Sequence, residues 1–240
     1  MYGRVIEAPA KKSDLSIRAA SAVVMVAVAG TALWLGDYAW AALVAVVALA
    51  VLYEWLMLAR AIVATSLGLI VFMLIGIGYI GLAALTLAQL RWAREFGLAD
   101  AGLFYVLLVV GAVIAIDVGA YFTGRTFGGP KIAPKISPSK TWSGLAGGAV
   151  SATTYVTAWY WWYGDDWQAV LKIAWIVAPL VAVIAQAGDF LESRMKRLAG
   201  VKDSGNLIPG HGGLFDRVDG LLAVCFVYGL LIALISWTGT

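Results

Sequence analysis

A chain of 240 residues has room for one or two domains. At 62% hydrophobic and 13% charged residues, with a mean hydropathy of +0.88, it cannot be a water-soluble globule or a disordered segment. The one cysteine, Cys225, excludes a disulfide scaffold. The apolar stretches are also too long and continuous for the roughly 10-residue alternating strands of an outer-membrane barrel. What remains is an all-α, polytopic helical membrane protein. Its net charge is only +3, but the positive residues are unevenly placed: of 17 Lys and Arg, four fall between Arg125 and Lys140 and five between Arg194 and Arg217.

Residues 1–17 are polar, and Arg18 precedes an apolar run to Leu35. That run exceeds the roughly 7–15 apolar residues of a signal peptide and has no clean small-x-small cleavage site before Asp37, so it reads as a retained first span. Further apolar runs cover 38–59, 61–90, 101–123, 143–163, 171–193 and 218–237. Apart from 61–90, each is close to the roughly 20 residues that cross hydrocarbon. The run 61–90 contains Gly76, Gly78 and Gly81 and fits one long tilted span or two short ones.

Charge bias arbitrates. Lys11, Lys12, Arg18, Arg60 and both basic islands read as cytoplasmic, while Gly36-Asp37-Tyr38 and Gly164-Asp165-Asp166-Trp167 read as the opposite side. An odd number of crossings is then needed from 61–90, and one span gives seven in all, with the C-terminus outside. The cost is that Arg91 and Arg94 fall outside, partly offset by Glu95 and Asp100. Glu54 is the exception in a first part of the chain otherwise poor in chemistry. It reads as an interfacial carboxylate at the cytoplasmic end of the second run, in reach of Arg60, rather than as part of a polar site.

Three segments carry chemistry. In the first, Asp117, Ala120, Tyr121 and Gly124 share one helix face by i, i+3, i+4 and i+7 spacing. A carboxylate in an apolar run is expensive unless it faces a polar cavity, so the stripe reads as site-facing. In the second, Pro134-Lys135-Ile136-Ser137-Pro138-Ser139-Lys140-Thr141-Trp142 is a loop with restricted backbone. It presents lysines and hydroxyls just before a helix N-terminus, which suits a phosphate.

In the third, Gln186, Asp189, Glu192 and Ser193 lie on one helix face. Lys196, Arg197, Lys202 and Asp203 follow, and then Pro209-Gly210-His211-Gly212-Gly213 leads to Asp216, Arg217 and Asp219. Acids beside basic residues suit a hard cation held together with phosphate. The competing reading is a set of juxtamembrane salt bridges, which leaves the glycines unexplained. Cys225 reads as packing, and the eleven tryptophans as interfacial anchors rather than a base-stacking platform.

The pattern Ser193-x-x-Lys196-Arg197-x4-Lys202-Asp203-x5-Pro209-x-His211-Gly212-Gly213-x-x-Asp216-Arg217-x-Asp219 resembles the signature of phosphatidate cytidylyltransferases, also called CDP-diacylglycerol synthases. Asp117-x-x-Ala120-Tyr121-x-x-Gly124-Arg125-x-Phe127-Gly128 and Ser137-Pro138-x-Lys140-Thr141-Trp142 are similar to that family's other characteristic stretches. Many members have an acid after the tryptophan, where this chain has Ser143. The motifs lie within 117–220, and the first 110 residues resemble the family only in hydropathy.

The resemblance implies transfer of CMP from CTP to phosphatidate, giving CDP-diacylglycerol and pyrophosphate. It implies magnesium at Asp189 and Asp216, a second, monovalent cation being an open addition. The catalytic set is Asp189, Asp216, Lys140, Lys202, His211 and Arg217, with His211 read as a contact rather than a base. Substrate binding falls to Asp117, Tyr121, Arg125, Ser137, Gln186, Ser193, Lys196, Arg197, Asp203 and Asp219. The expected partners are CTP, phosphatidate and a lipid bilayer, with no nucleic acid and a homodimer left open.

The expected location is the bacterial inner membrane, multi-pass, with the site facing the cytoplasm. Residues 1–110 would be N-terminal transmembrane helices and 111–240 the catalytic transmembrane region. A CTP-dependent lipid kinase, attacking the γ-phosphate, is the nearest alternative. An anion or lipid transporter is a more distant one, since no repeated halves are visible.

Overall fold

The computed structural model describes residues 12–93, 101–163 and 167–238. Lys11, Arg94, Glu95, Asp100 and the Gly164-Asp165-Asp166 segment lie outside them, as do the side chains of Lys12, Asp14 and Trp167. Seven helices account for the apolar runs: α1 (Lys12–Leu35), α2 (Asp37–Ile62), α3 (Ser66–Arg91), α4 (Ala101–Thr126), α5 (Trp142–Trp162), α6 (Trp167–Ala199) and α7 (Phe215–Thr238). The ambiguous run 61–90 resolves as the single helix α3, started by Thr65, whose side chain accepts from Gly68 N–H. Six of the seven are long and apolar enough to cross a membrane. The exception, α5, carries Ser143, Ser151, Thr153, Thr154 and Thr157, which lower its hydropathy. Thr153 and Thr157 return their hydroxyls to the carbonyls of Ala149 and Thr153, so these two hydroxyls are satisfied within the helix.

Neighbouring helices α4, α5, α6 and α7 pack in sequence order, and α2, α3 and α7 form the other side of the bundle. Between them lie three carbon cores. Val51, Trp55, Ile80, Phe215 and Cys225 form one; Ile116, Ala152, Ala182 and Val224 a second; Leu33, Trp40, Val44 and Val106 a third. Outward-facing residues are apolar too. Ile173, Ile176, Leu180 and Val183 of α6 are exposed at helical spacing, as a lipid-facing stripe requires. In lipid, close approach rather than hydrophobic burial holds helices together. Accordingly, a Cβ on Gly188 of α6 would stand 2.7 Å from Ala223 Cβ and collide with the Asp219 carbonyl of α7.

The two ends of the bundle differ. At one end Asp37 pairs with Arg91 at 3.3 Å, and Phe104 of α4 meets Tyr163 beyond α5 with ring centroids 4.8 Å apart. At the other end lie the loops between α4 and α5 and between α6 and α7. The first is not an irregular loop. It is a two-stranded antiparallel hairpin, β1 (Lys131–Ala133) and β2 (Ser137–Thr141), with Thr141 capping α5 by accepting from Gly144 N–H at 3.1 Å. The second is shorter than the charge pattern suggests, because α6 runs on through Arg194, Lys196 and Arg197 to Ala199. Gly200, at φ 70°, ends it. Val201 N–H reaches back to the Lys196 carbonyl at 3.0 Å, closing a helix C-cap that needs a left-handed residue.

Candidate active site

A cavity of about 590 Å³ opens where α4, the hairpin, α6 and α7 meet. The predicted stripe Asp117, Ala120, Tyr121 and Gly124 lines it from α4, and Arg125 extends that wall. β1 and β2 add Lys131, Ser139, Lys140 and Thr141; α6 adds Gln186 and Asp189; α7 adds Asp216, Arg217 and Asp219. Four carboxylates and four cations thus face one space. The close α6–α7 packing at Gly188 is what brings Asp189 beside the α7 acids.

Each of the two expected metal-binding acids is held by a lysine. Lys140 Nζ pairs with Asp189 Oδ2 across the cavity. Lys196 Nζ donates to Asp216 Oδ1 at 2.5 Å and to Glu192 Oε2 at 2.7 Å. Neither Arg194 nor Arg217 is the partner that a plain salt-bridge reading expects. Lys140 lies outside the membrane-spanning helices. Burial pushes its ammonium down from the ordinary lysine value, and the Asp117 and Asp219 carboxylates pull it part of the way back. Arg125 donates to the Tyr121 hydroxyl at 2.7 Å with its guanidinium 5.9 Å from the ring centroid, so the two form one unit at the rim.

The loop from Gly200 to Leu214 is folded by its own backbone. Ile208, Pro209, Gly210 and His211 make a tight turn, with His211 N–H donating to the Ile208 carbonyl at 3.0 Å. Gly210 is at φ 75°, the left-handed value that position demands after a proline. Asp216 Oδ2 gathers this loop, accepting from Ser204 N–H at 2.9 Å, Ser204 Oγ at 3.0 Å and Gly213 N–H at 3.0 Å. Its Oδ1 remains for Lys196.

Residues 68–235 match the sequence pattern of the Cytidylyltransferase family. The chain belongs to the cytidylyltransferase family. It is similar to the phosphatidate cytidylyltransferase of Brucella melitensis biotype 1, 41% identical over 167 residues that make up 66% of this chain and 57% of the relative. It is similar also to that of Bacillus subtilis (strain 168), 39% identical over 162 residues (66% and 56%), and to that of Pseudomonas aeruginosa, 38% identical over 144 residues (60% and 52%). The chain spans about half the length of the curated relatives it matches.

Of the family-type residues, Asp117, Tyr121, Arg125, Lys140, Gln186, Asp189, Asp216, Arg217 and Asp219 share the cavity wall. Lys196 reaches it through Asp216. The others stand back from it. Ser137 is buried in the hairpin with its Oγ 3.5 Å from Ser139 Oγ. Ser193 is half-buried on α6, Arg197 is exposed on its last turn, and Lys202 and Asp203 are exposed at the start of the loop. His211 turns its ring to α1, with Nδ1 2.8 Å from Ser21 Oγ, and its carbonyl accepts from Arg217 at 2.8 Å. Ser143, the position where many relatives carry an acid, bonds the Gly128 carbonyl and ties the hairpin's approach to α5.

Glu54 corrects the expectation of an interfacial carboxylate near Arg60. It is 1% exposed and accepts from Leu214 N–H, Phe215 N–H and Ser204 Oγ at 2.8–2.9 Å. Its cost inside an apolar helix was the available signal. Its partners lie some 150–160 residues away and could not be read from the chain. Lys131 was likewise visible only as one charge of a basic island.

Proposed function

We propose that this protein transfers CMP from CTP to phosphatidate, giving CDP-diacylglycerol and pyrophosphate. The observation that carries this reading is the single cavity in which Lys131, Lys140, Arg125 and Arg217 face Asp117, Asp189, Asp216 and Asp219. Family membership and the names of the similar relatives support it. In the reaction a phosphatidate phosphate oxygen forms a bond to the α-phosphorus of CTP, the α–β phosphoanhydride bond breaks, and pyrophosphate leaves with its electrons. Both reactants are anions, so the protein must offset their repulsion and the charge that builds in the transition state. Lys140, Lys131, Arg125 and Arg217 are placed to do so, two of them as forked guanidiniums. A phosphate already ionised needs no general base, which agrees with the seat of His211 against Ser21.

The donor set fits magnesium. Among the described residues no three or more His, Cys, Asp or Glu side chains form a ready-made metal cage. Magnesium requires none, since one or two carboxylates with substrate phosphates and water suffice. Asp189 and Asp216 would hold it, because each presents hard oxygens now balanced by a lysine ammonium. When bound, the ion supplies charge neutralisation and polarisation at the phosphates. Lys140, no longer needed on Asp189, is then in the cavity wall for phosphate oxygens, while Lys196 stands behind Asp216.

In this reading residues 111–240 carry the catalysis, while 1–110 supply membrane helices and side chains, Glu54 and Ser21 among them, that meet the α6–α7 loop. On the same reading there are seven spans and both polar loops are at the cytoplasmic face of a bacterial inner membrane, where CTP is available; the positive charge of those loops supports it. The test is pyrophosphate release by purified protein. It should require CTP, phosphatidate and magnesium together, and release without phosphatidate, or none with all three, contradicts the proposal.

A further inference from the structure

Glu54 lies behind the cavity wall, yet it is joined to Asp216 by a short chain of hydrogen bonds. Oε1 accepts from Leu214 N–H at 2.9 Å; Oε2 accepts from Phe215 N–H at 2.8 Å and Ser204 Oγ at 2.9 Å. The Phe215 amide opens α7 and the Leu214 amide immediately precedes it, where backbone donors have no intrahelical acceptor. Ser204 Oγ is also 3.0 Å from Asp216 Oδ2. A hydroxyl has one proton, so Ser204 serves one carboxylate at a time and couples the two. The clamp leaves no slack: a Cβ on Gly213 would come 2.7 Å from Glu54 Oε2, and one on Gly205 2.9 Å from Glu54 Cδ.

We infer that Glu54 is a positioning residue for Asp216. By taking the amides of Leu214 and Phe215, it leaves Asp216 to hold the loop through Oδ2 and to present Oδ1 to the cavity. Without that acceptor two buried donors go unpaired, and a carboxylate on the same turn is drawn off its bearing to serve them. This deepens the proposed function and rests on it for the reaction, but the geometry can be tested without turnover.

Glu54→Gln keeps the size and puts an NH2 donor against amide donors. Val51→Ala, in the same helix and in the carbon core, controls for lost stability. Two readouts need no catalysis: Mn2+ binding by electron paramagnetic resonance without nucleotide, and hydrogen exchange at residues 213–216. Glu54→Gln should weaken Mn2+ binding about tenfold and speed that exchange. Its turnover per folded molecule should fall while the KM for phosphatidate stays put. Val51→Ala should melt earlier yet keep wild-type Mn2+ affinity and exchange.

Unchanged Mn2+ affinity and exchange in Glu54→Gln overturn the inference, whatever the stability. If Glu54→Gln does not purify, Ser204→Ala, which removes only the shared hydroxyl, decides: weaker Mn2+ binding supports the coupling and the wild-type value overturns it. A wild-type protein that binds Mn2+ but makes no CDP-lipid defeats the proposed function alone.

Discussion

Lys140 of the hairpin and Asp189 of α6 meet as an ion pair across the cavity, and Lys196 and Asp216 repeat the arrangement 2.5 Å apart at the head of α7. Each acid expected to hold a cation therefore carries a counter-charge, so these two inward carboxylates need not destabilise the bundle. Asp189→Asn and Asp216→Asn should each lower turnover per folded molecule by about 100-fold or more, with insertion and yield near normal. Raising magnesium should recover part of the loss. If the acids served stability alone, the variants would melt earlier while surviving molecules turned over normally; a detergent-solution assay normalised to folded protein separates the two.

Burial holds Lys140 below the ordinary lysine value, so its positive charge is present at low pH and lost earlier than usual as pH rises. The KM for CTP should climb on the alkaline side, beginning below the range where a solvated lysine titrates. Lys140→Arg cannot lose its charge in that range. Its KM, though higher throughout because the fork fits a point-charge seat poorly, should be flat with pH. A Lys140→Arg profile that keeps the wild-type alkaline limb assigns that limb to another group.

Much of this site was legible because helical spacing is a rigid rule. Asp117, Ala120, Tyr121 and Gly124 were placed on one face by counting alone, and all four line the cavity. Asp216 and Asp219 were likewise one turn apart at the head of the last helix. Arg91 showed the limit. Glu95 and Asp100, set against its charge in the sequence reading, lie outside the described residues, while Asp37, more than fifty residues away, stands 3.3 Å from it. The neighbours of His211 and Glu54 were hidden for the same reason, since Ser21 and Ser204 come beside them only when helices far apart in the chain pack together. The hairpin was hidden differently: Pro134 and Pro138 argued against helix, and a strand of three residues leaves almost no pattern.

Gly188 should tolerate no side chain. A Cβ there meets the Asp219 carbonyl and Ala223, so Gly188→Val must push α6 from α7 and pull Asp189 away from Asp216. The expected cost is about 1–3 kcal/mol of stability, read as a lower melting temperature in detergent, with turnover falling further than stability explains. A variant with normal turnover and melting would mean that the α6–α7 approach does not set the site.

Sidedness can be read with single cysteines, because the native Cys225 is 2% exposed and should label little. Lys135→Cys in the hairpin turn and Asn206→Cys in the α6–α7 loop should both resist an impermeant maleimide added to intact cells and react once the membrane is opened. Tyr163→Cys, at the opposite end, should react from outside. Outside labelling of either loop cysteine would refute a cytoplasmic site and the seven-span arrangement.

The central claim is that the bond made is to the α-phosphorus of CTP, and the most direct measurement follows two labels. Purified protein is given phosphatidate, magnesium and CTP radiolabelled at either the α- or the γ-phosphate, and the lipid phase is extracted and counted. The account predicts that α-label enters the lipid as CDP-diacylglycerol while γ-label stays in water as pyrophosphate. Label from the γ-position in the lipid, or from neither position with protein shown to be folded, would contradict it.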